Sequence, residues 1–281
     1  MKKTFLILCP LVVLASLSAC KPAFKPSNPQ TGTSGSQNGI INGEPVTVRN
    51  SKAARSVVFI DLLDHNNQSL GFCTGTLISK KAVLTAAHCF DKKVMEGFRS
   101  FRIAFDSSSQ IHYRSGTASS SHPSYNSTKK YDHDIAVAYF SGGLPEGFNT
   151  VDYDTDTKAN YSNQLIYVYG YGRTRDILDN TDNIYTAISG LLHKGVLKVD
   201  GNYRKLADRY TTDPLVRTYT CYGDSGGPQF SHENGVLKII GISSAIYGKR
   251  GDDGNTYCKG GRAQATKVAY FSSWIRQQIA R

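Results

Sequence analysis

From Ser56 onward the chain is a succession of short apolar runs broken by turn residues, and this pattern narrows the fold more than any other feature. Val57-Val58-Phe59-Ile60, Gly75-Thr76-Leu77-Ile78, Ala82-Val83-Leu84, Phe101-Arg102-Ile103-Ala104-Phe105 and Ile135-Ala136-Val137-Ala138 form a first set. Gln164 to Gly170, Val196 to Val199, Leu237 to Ile242 and Gln264 to Val268 form a second. Several short strands at close spacing with turn signals between them imply an all-β barrel or sandwich. Only the tail breaks the pattern. There Trp274, Ile275 and Ile279 are spaced as on one helix face, with Ser272 or Ser273 as its expected cap. A length of 281 residues suffices for one large or two small domains with real cores.

The first forty residues read differently. Met1-Lys2-Lys3 is a short basic start, and Thr4 to Leu17 is an apolar run of signal-peptide length, too short and wrongly flanked for a membrane span. Leu17-Ser18-Ala19-Cys20 resembles a bacterial lipoprotein cleavage site, which implies that Cys20 becomes a lipidated N-terminus. Ordinary signal cleavage nearby, with an incidental cysteine, is the other reading. Several acyl chains would hold firmly where one anchors only marginally. Residues 21–39 are rich in Pro, Ser, Gly and Asn, as in a disordered tether. The expected organisation is therefore a signal peptide over 1–19, lipidated Cys20 and tether over 20–39, and a folded domain over 40–281.

Charge and cysteine usage limit the function classes. The formal net charge is +11, and loss of Lys2 and Lys3 with the signal peptide leaves +9. The basic residues are scattered and no nucleic-acid motif is present, so a basic solvated surface is expected rather than a nucleic-acid partner. Of six cysteines, Cys9 and Cys20 lie in the leader, leaving Cys73, Cys89, Cys221 and Cys258. Four cysteines allow three pairings, and in an exported chain disulfides are the expected state. No Cys-x-x-Cys or His-x-x-x-His spacing marks a zinc site, and no metal or cofactor is expected.

The chemistry centres on Gly223-Asp224-Ser225-Gly226-Gly227-Pro228. Glycines let a loop turn sharply and hold its N–H groups outward. A serine hydroxyl attacks a carbonyl only when a base removes its proton, and outward N–H groups beside it hold the oxyanion that forms. A base and a carboxylate stand upstream. Val83-Leu84-Thr85-Ala86-Ala87-His88-Cys89 ends an apolar run in a histidine, and Tyr131-Asp132-His133-Asp134 precedes a strand-like segment. The three motifs, in the order His, Asp, Ser, resemble the chymotrypsin/trypsin family of serine endopeptidases from about Ile40 to Arg281. The gaps, 134 − 88 = 46 and 225 − 134 = 91, are close to those of that family.

The resemblance implies two antiparallel six-stranded β-barrels, about 40–149 and about 150–281, with the active site in the cleft between them and a C-terminal helix. It implies that Ser225 is nucleophile, His88 general base and then acid, and Asp134 the group that orients His88, with the N–H groups of Gly223 and Ser225 as oxyanion hole. Asp132 and His133 are decoys. The Asp134 assignment rests on its place immediately before Ile135-Ala136-Val137. The resemblance pairs Cys73 with Cys89 and Cys221 with Cys258. Ile40-Ile41-Asn42-Gly43 resembles the mature N-terminus whose freed amine pairs with the aspartate before the serine, here Asp224. The residue ahead of it is Gly39, where the family has Arg or Lys, which speaks against a basic-specific activator. Gly170-Tyr171-Gly172 resembles the Gly-Trp-Gly segment with Tyr for Trp. The primary pocket would be read at Tyr219, Ser244, Ile246 and Ala263. No carboxylate stands at its floor, so small or medium apolar side chains are expected rather than Arg or Lys. The implied partners are polypeptide substrates, an activating protease and a protein inhibitor, and a monomer is expected. The alternative is a binding or adhesion protein that kept the fold and lost the chemistry.

Overall fold

β1 (Glu44–Pro45) is followed by a strand, β2 (Val57–Leu63), that is buried along almost its whole length, and its sequence explains why. Its apolar residues pack on both faces, and its one charge, Asp61, is matched. Arg102 donates to Asp61 Oδ2 from Nε at 2.9 Å, and Ser69 Oγ donates to Oδ1 at 2.6 Å. Asp61 and Arg102 are register partners across the sheet, so one local pairing removes the cost of a buried carboxylate. In this computed structural model the described residues are 40–107, 110–129, 131–174, 191–213, 218–233, 235–250 and 256–281. The leader, Cys20 and the tether lie outside them.

β2 joins β3 (Ser69–Ser79), β4 (Ala82–Thr85), β5 (Ser100–Asp106), β6 (Ile111–Ser121) and β7 (Ala136–Phe140) in a closed barrel of order β2-β3-β4-β7-β6-β5. Val58, Ile60, Leu77, Val83, Ile103 and Val137 belong to its core. The later strands are β8 (Asp152–Tyr153), β9 (Leu165–Gly170), β10 (His193–Lys198), β11 (Arg209–Thr211), β12 (Pro228–Glu233), β13 (Val236–Arg250) and β14 (Thr256–Lys267). They and β1 form an eight-stranded sheet of order β1-β10-β9-β12-β13-β14-β11, with β8 added in parallel to β13. The expected all-β architecture therefore forms, with one closed six-stranded barrel, a second sheet and a C-terminal helix. Six strands of the second sheet are brought round into a circuit by a single bridge, Val199 to Thr212, beyond the ends of β10 and β11. Asp213 N–H donates to Lys198 O at 2.7 Å and Asp200 N–H to Thr211 O at 2.9 Å there.

The ends of the domain cross over. Ile40 is fully buried among Ile166, Val168, Leu197 and Ile240 of the second sheet, and β1 pairs with β10. At the other end, helix α1 (Ser272–Ile279) lies against the first barrel, where Tyr139 Oη donates to Gln278 O at 3.1 Å. Ile275 is its fully buried apolar residue. Neither Ser272 nor Ser273 caps this helix. Its N-cap is Phe271, with no side-chain cap bond, because a 3-10 turn over Ala269–Phe271 leads directly into it.

Candidate active site

The first element of the site follows from the apolar run of β4. All four of its residues are buried, and the chain leaves the barrel in a 3-10 turn, Ala87–Phe90, that carries His88. Cys89 of that turn is disulfide-bonded to Cys73 of β3, which pins His88 to the barrel wall. Asp134 is fully buried just before β7. Its Oδ1 accepts from the His88 backbone N–H at 2.9 Å, and its Oδ2 lies 2.7 Å from His88 Nδ1 and accepts from Ser244 Oγ at 2.6 Å. Thr266 Oγ1 donates to the Asp134 carbonyl at 2.9 Å. An ionised carboxylate only accepts, so Nδ1 carries the proton and Nε2 is left as a base toward the cleft. Burial alone would lower the His88 pKa. The charge of Asp134 and its hydrogen bond, with a smaller contribution from Asp91, outweigh that and raise it above 6.5.

The serine loop is held from several directions. Thr74 N–H donates to Ser225 O at 2.8 Å, and Thr74 Oγ1 donates to Gly223 O at 2.9 Å. Gly226 N–H donates to Ser243 O at 2.7 Å and Gly227 N–H to Asp224 O at 2.9 Å. Gly223 has φ 93° and Gly226 φ 80°, conformations an L side chain resists. Among the described residues the N–H groups of Gly223 and Ser225 donate to no protein acceptor, which is the arrangement an oxyanion needs. Ser225 and His88 line one cleft of about 440 Å³. No hydrogen bond joins them among the described residues, a common state of such pairs without substrate.

Asp224 is buried. Its Oδ1 accepts from Gly172 N–H at 2.9 Å and its Oδ2 from Cys221 N–H at 2.8 Å. The carboxylate fills the space above Gly170 and Gly172, where a Cβ on either would collide with it. That explains both glycines of the Gly-Tyr-Gly segment. Burial pushes the Asp224 carboxyl up to about 7 despite the two N–H donors. Among the described residues no Lys, Arg or His reaches it within ion-pair distance. Ile41, next to buried Ile40, bridges to Tyr219, whose N–H donates to Ile41 O at 3.1 Å.

The remaining expected positions divide. Ser244 and Ile246 line the cleft. Tyr219 and Ala263 do not. They line a separate space with Ile246, Thr218 and Gly261 that is too narrow for a water molecule. Tyr219 and Ile246 pack on Ile41 and on the Cys221–Cys258 disulfide, and this packing closes the space. The decoys are engaged elsewhere. Asp132 pairs with Arg209, and His133 stacks on His122 at 5.5 Å between ring centroids. Residues missed from sequence include Thr74, which ties β3 to the serine loop, and Arg49, whose guanidinium donates to the Tyr171 hydroxyl and to Val57 O at 2.9 Å. Thr74 follows Cys73 directly, a signal at hand. Nothing local marks Arg49.

Comparison with known proteins agrees with this geometry. A family model described as Trypsin matches residues 40–275. The chain is similar to a trypsin of Squalus acanthias, 27% identical over 223 residues, which is 76% of this chain and 88% of that protein. It is 24% identical over 280 residues to "Trypsin, alkaline B" of Manduca sexta, covering 94% and 97%. Against "Brachyurin" of Leptuca pugilator it is 30% identical over 263 residues, covering 85% and 98%.

Proposed function

Since the chain belongs to the trypsin family and is a serine endopeptidase, we propose that it cuts polypeptides through an acyl-enzyme on Ser225. The observation that carries the assignment is the buried Asp134 carboxylate on His88 Nδ1, which leaves Nε2 as the free ring nitrogen of a histidine that lines the same cleft as Ser225. Ser225 Oγ attacks the scissile carbonyl carbon while His88 Nε2 takes its proton. The carbonyl oxygen becomes an oxyanion on the Gly223 and Ser225 N–H groups. As the C–N bond breaks, His88 returns the proton to the leaving amine. Water then repeats the sequence, with His88 as base, and frees the acid and Ser225. Residues small at the acyl side are the expected substrates, because Tyr219, Ile246 and Ala263 enclose no open pocket.

Three further parts of the reading go together. The protein is exported, a reading that its two disulfides support because such bonds form and persist in oxidising compartments. It is anchored by lipid at Cys20, or released if the tether is cut. It is made as a zymogen cut before Ile40, which supplies the amine that Asp224 needs. Sequencing the active form should give Ile40 first, and an active enzyme that keeps Gly39 would refute the zymogen. Cys20→Ala should block lipoprotein processing, and wild-type maturation of that variant would refute the anchor. A fluorophosphonate should label Ser225 of the mature enzyme. Absence of labelling, with no peptide hydrolysis, would leave a binding protein on this fold.

A further inference from the structure

We propose that Arg49 is a positioning residue for the oxyanion hole. Through the Tyr171 hydroxyl, its buried guanidinium fixes the segment against which the Gly223 and Ser225 N–H groups are set. This rests on the serine-protease reading of the site. Arg49 itself does not line the cleft.

A guanidinium carries its charge into the interior, so acceptors must meet it there. The Arg49 side chain is 5% exposed. Its Nη1 donates to Ala54 O at 2.6 Å and to Val57 O at 2.9 Å. Its Nη2 donates to the Tyr171 hydroxyl and lies 3.5 Å from Asp106 Oδ2. Nε is buried with no acceptor among the described residues, so part of the desolvation cost is not recovered. Apolar residues of the same volume often serve stability as well as a buried ion does. What the planar fork adds is direction. Nη1 is seated at the entry to β2, and Nη2 reaches Tyr171, one residue past the end of β9. Arg49 thus ties the first barrel to the second sheet at one hydroxyl.

The main chain that follows β9 supports the serine loop through three consecutive N–H groups. Tyr171 N–H donates to Thr74 Oγ1 at 3.1 Å, and that hydroxyl donates to Gly223 O at 2.9 Å. Gly172 N–H donates to Asp224 Oδ1 at 2.9 Å, and Arg173 N–H to Tyr222 O at 2.8 Å. A Cβ on Gly223 would lie 3.0 Å from Gly172 Cα, so the two backbones run in contact. A shift of residues 171–173 is therefore passed to residues 222–224. A hydrogen bond weakens steeply as its angle errs, and an oxyanion hole acts only while its donors are aimed. Packing alone does not prevent such a shift. The Tyr171 ring meets Phe59 edge-on, with centroids 5.5 Å apart, and such contacts are broad in geometry. The bond to the hydroxyl sets how far the ring reaches.

The test uses the mature enzyme, with turnover expressed per Ser225 titrated by a fluorophosphonate. Two inhibitors share one peptide sequence. One is a trifluoromethyl ketone, whose carbonyl carbon takes Ser225 Oγ and leaves an oxyanion. The other is the matched alcohol, which forms no adduct. Tyr171→Phe and Arg49→Met should each lower kcat at least about fivefold, with KM changed less than about threefold. The ketone should bind at least about fivefold more weakly to both variants, and the alcohol less than about twofold. Both residues act through one bond, so Arg49→Met/Tyr171→Phe should lose no more kcat than Arg49→Met alone. Tyr171→Phe keeps the ring and carries the test even where Arg49→Met does not fold. A smaller loss of kcat per titrated Ser225 in Tyr171→Phe, whatever its urea midpoint, would show a purely structural role and overturn the proposal. Equal weakening of ketone and alcohol, or losses that multiply in the double variant, would overturn it too. Those outcomes leave the protease reading standing. Failure of the wild type to hydrolyse peptides or to be titrated would overturn both.

Discussion

Each residue of the site carries a distinct electrostatic demand. Ser225→Ala and His88→Ala should each nearly abolish turnover, and the double variant should be little worse, since either loss removes one proton route. Asp134→Asn should cost on the order of 10⁴ in kcat, a value taken from the serine-protease template for a mis-set tautomer. His133→Ala should do little, because its ring stacks on His122 rather than facing the cleft. On the proposed mechanism His88 must be neutral to act, and Asp134, outweighing burial, raises its pKa above 6.5. Activity should therefore climb with pH through a midpoint above 6.5, and kcat/KM profiles should show that midpoint fall in Asp134→Asn. Asp224 has the opposite consequence in the uncut chain. Its carboxyl is raised from 3.8 to about 7, so the folded state holds the proton longer than the unfolded state. Stability is fully present below pH 3.8 and declines as pH rises through 7, by about 4 kcal/mol at 1.36 kcal/mol per pH unit. Urea unfolding of uncut Ser225→Ala should show that slope, and adding Asp224→Asn should remove it.

Among the elements, the His88 turn and the segment leading to Ser225 each carry one disulfide. Replacing Cys73 and Cys89 together should cost about 3 kcal/mol for a loop of this size, read as a lower urea midpoint. Helix α1 depends on one polar contact as well as on Ile275. Tyr139→Phe removes the bond to Gln278 and should cost about 1 kcal/mol. Much at this scale was legible in the sequence. β4 and the His88 turn follow from Val83-Leu84-Thr85-Ala86-Ala87-His88, and the serine loop from its glycines, because local patterns fix local structure. The helix cap was not legible. Ser272 and Ser273 have the right chemistry, but the preceding 3-10 turn already starts the helical path at Ala269. That Tyr219 and Ala263 line a closed space beside the cleft was not legible for a related reason. Whether Ile246 blocks them depends on how β13, Ile41 and a distant disulfide pack, and no spacing in the sequence records that. Arg49 escaped notice likewise, since its partners lie as far along the chain as Tyr171.

On the scale of the whole molecule, stability has a second pH limb. His193 is buried in β10, and burial lowers its pKa from 6.5 to about 4. The unfolded chain takes up that proton first, so stability is present above pH 6.5 and is lost as pH falls through 4, by about 3 kcal/mol. His193→Gln should flatten the acid limb of unfolding midpoints measured from pH 4 to pH 7.

The crossed ends of the domain bear on how the chain acquires its structure at all. Ile40 is seated among strands that are synthesised more than a hundred residues later, and the first barrel carries a helix, Ser272–Ile279, that follows all of the second sheet. During synthesis both the seat of Ile40 and the α1 contact of the first barrel are therefore missing until the second sheet and this helix have been made.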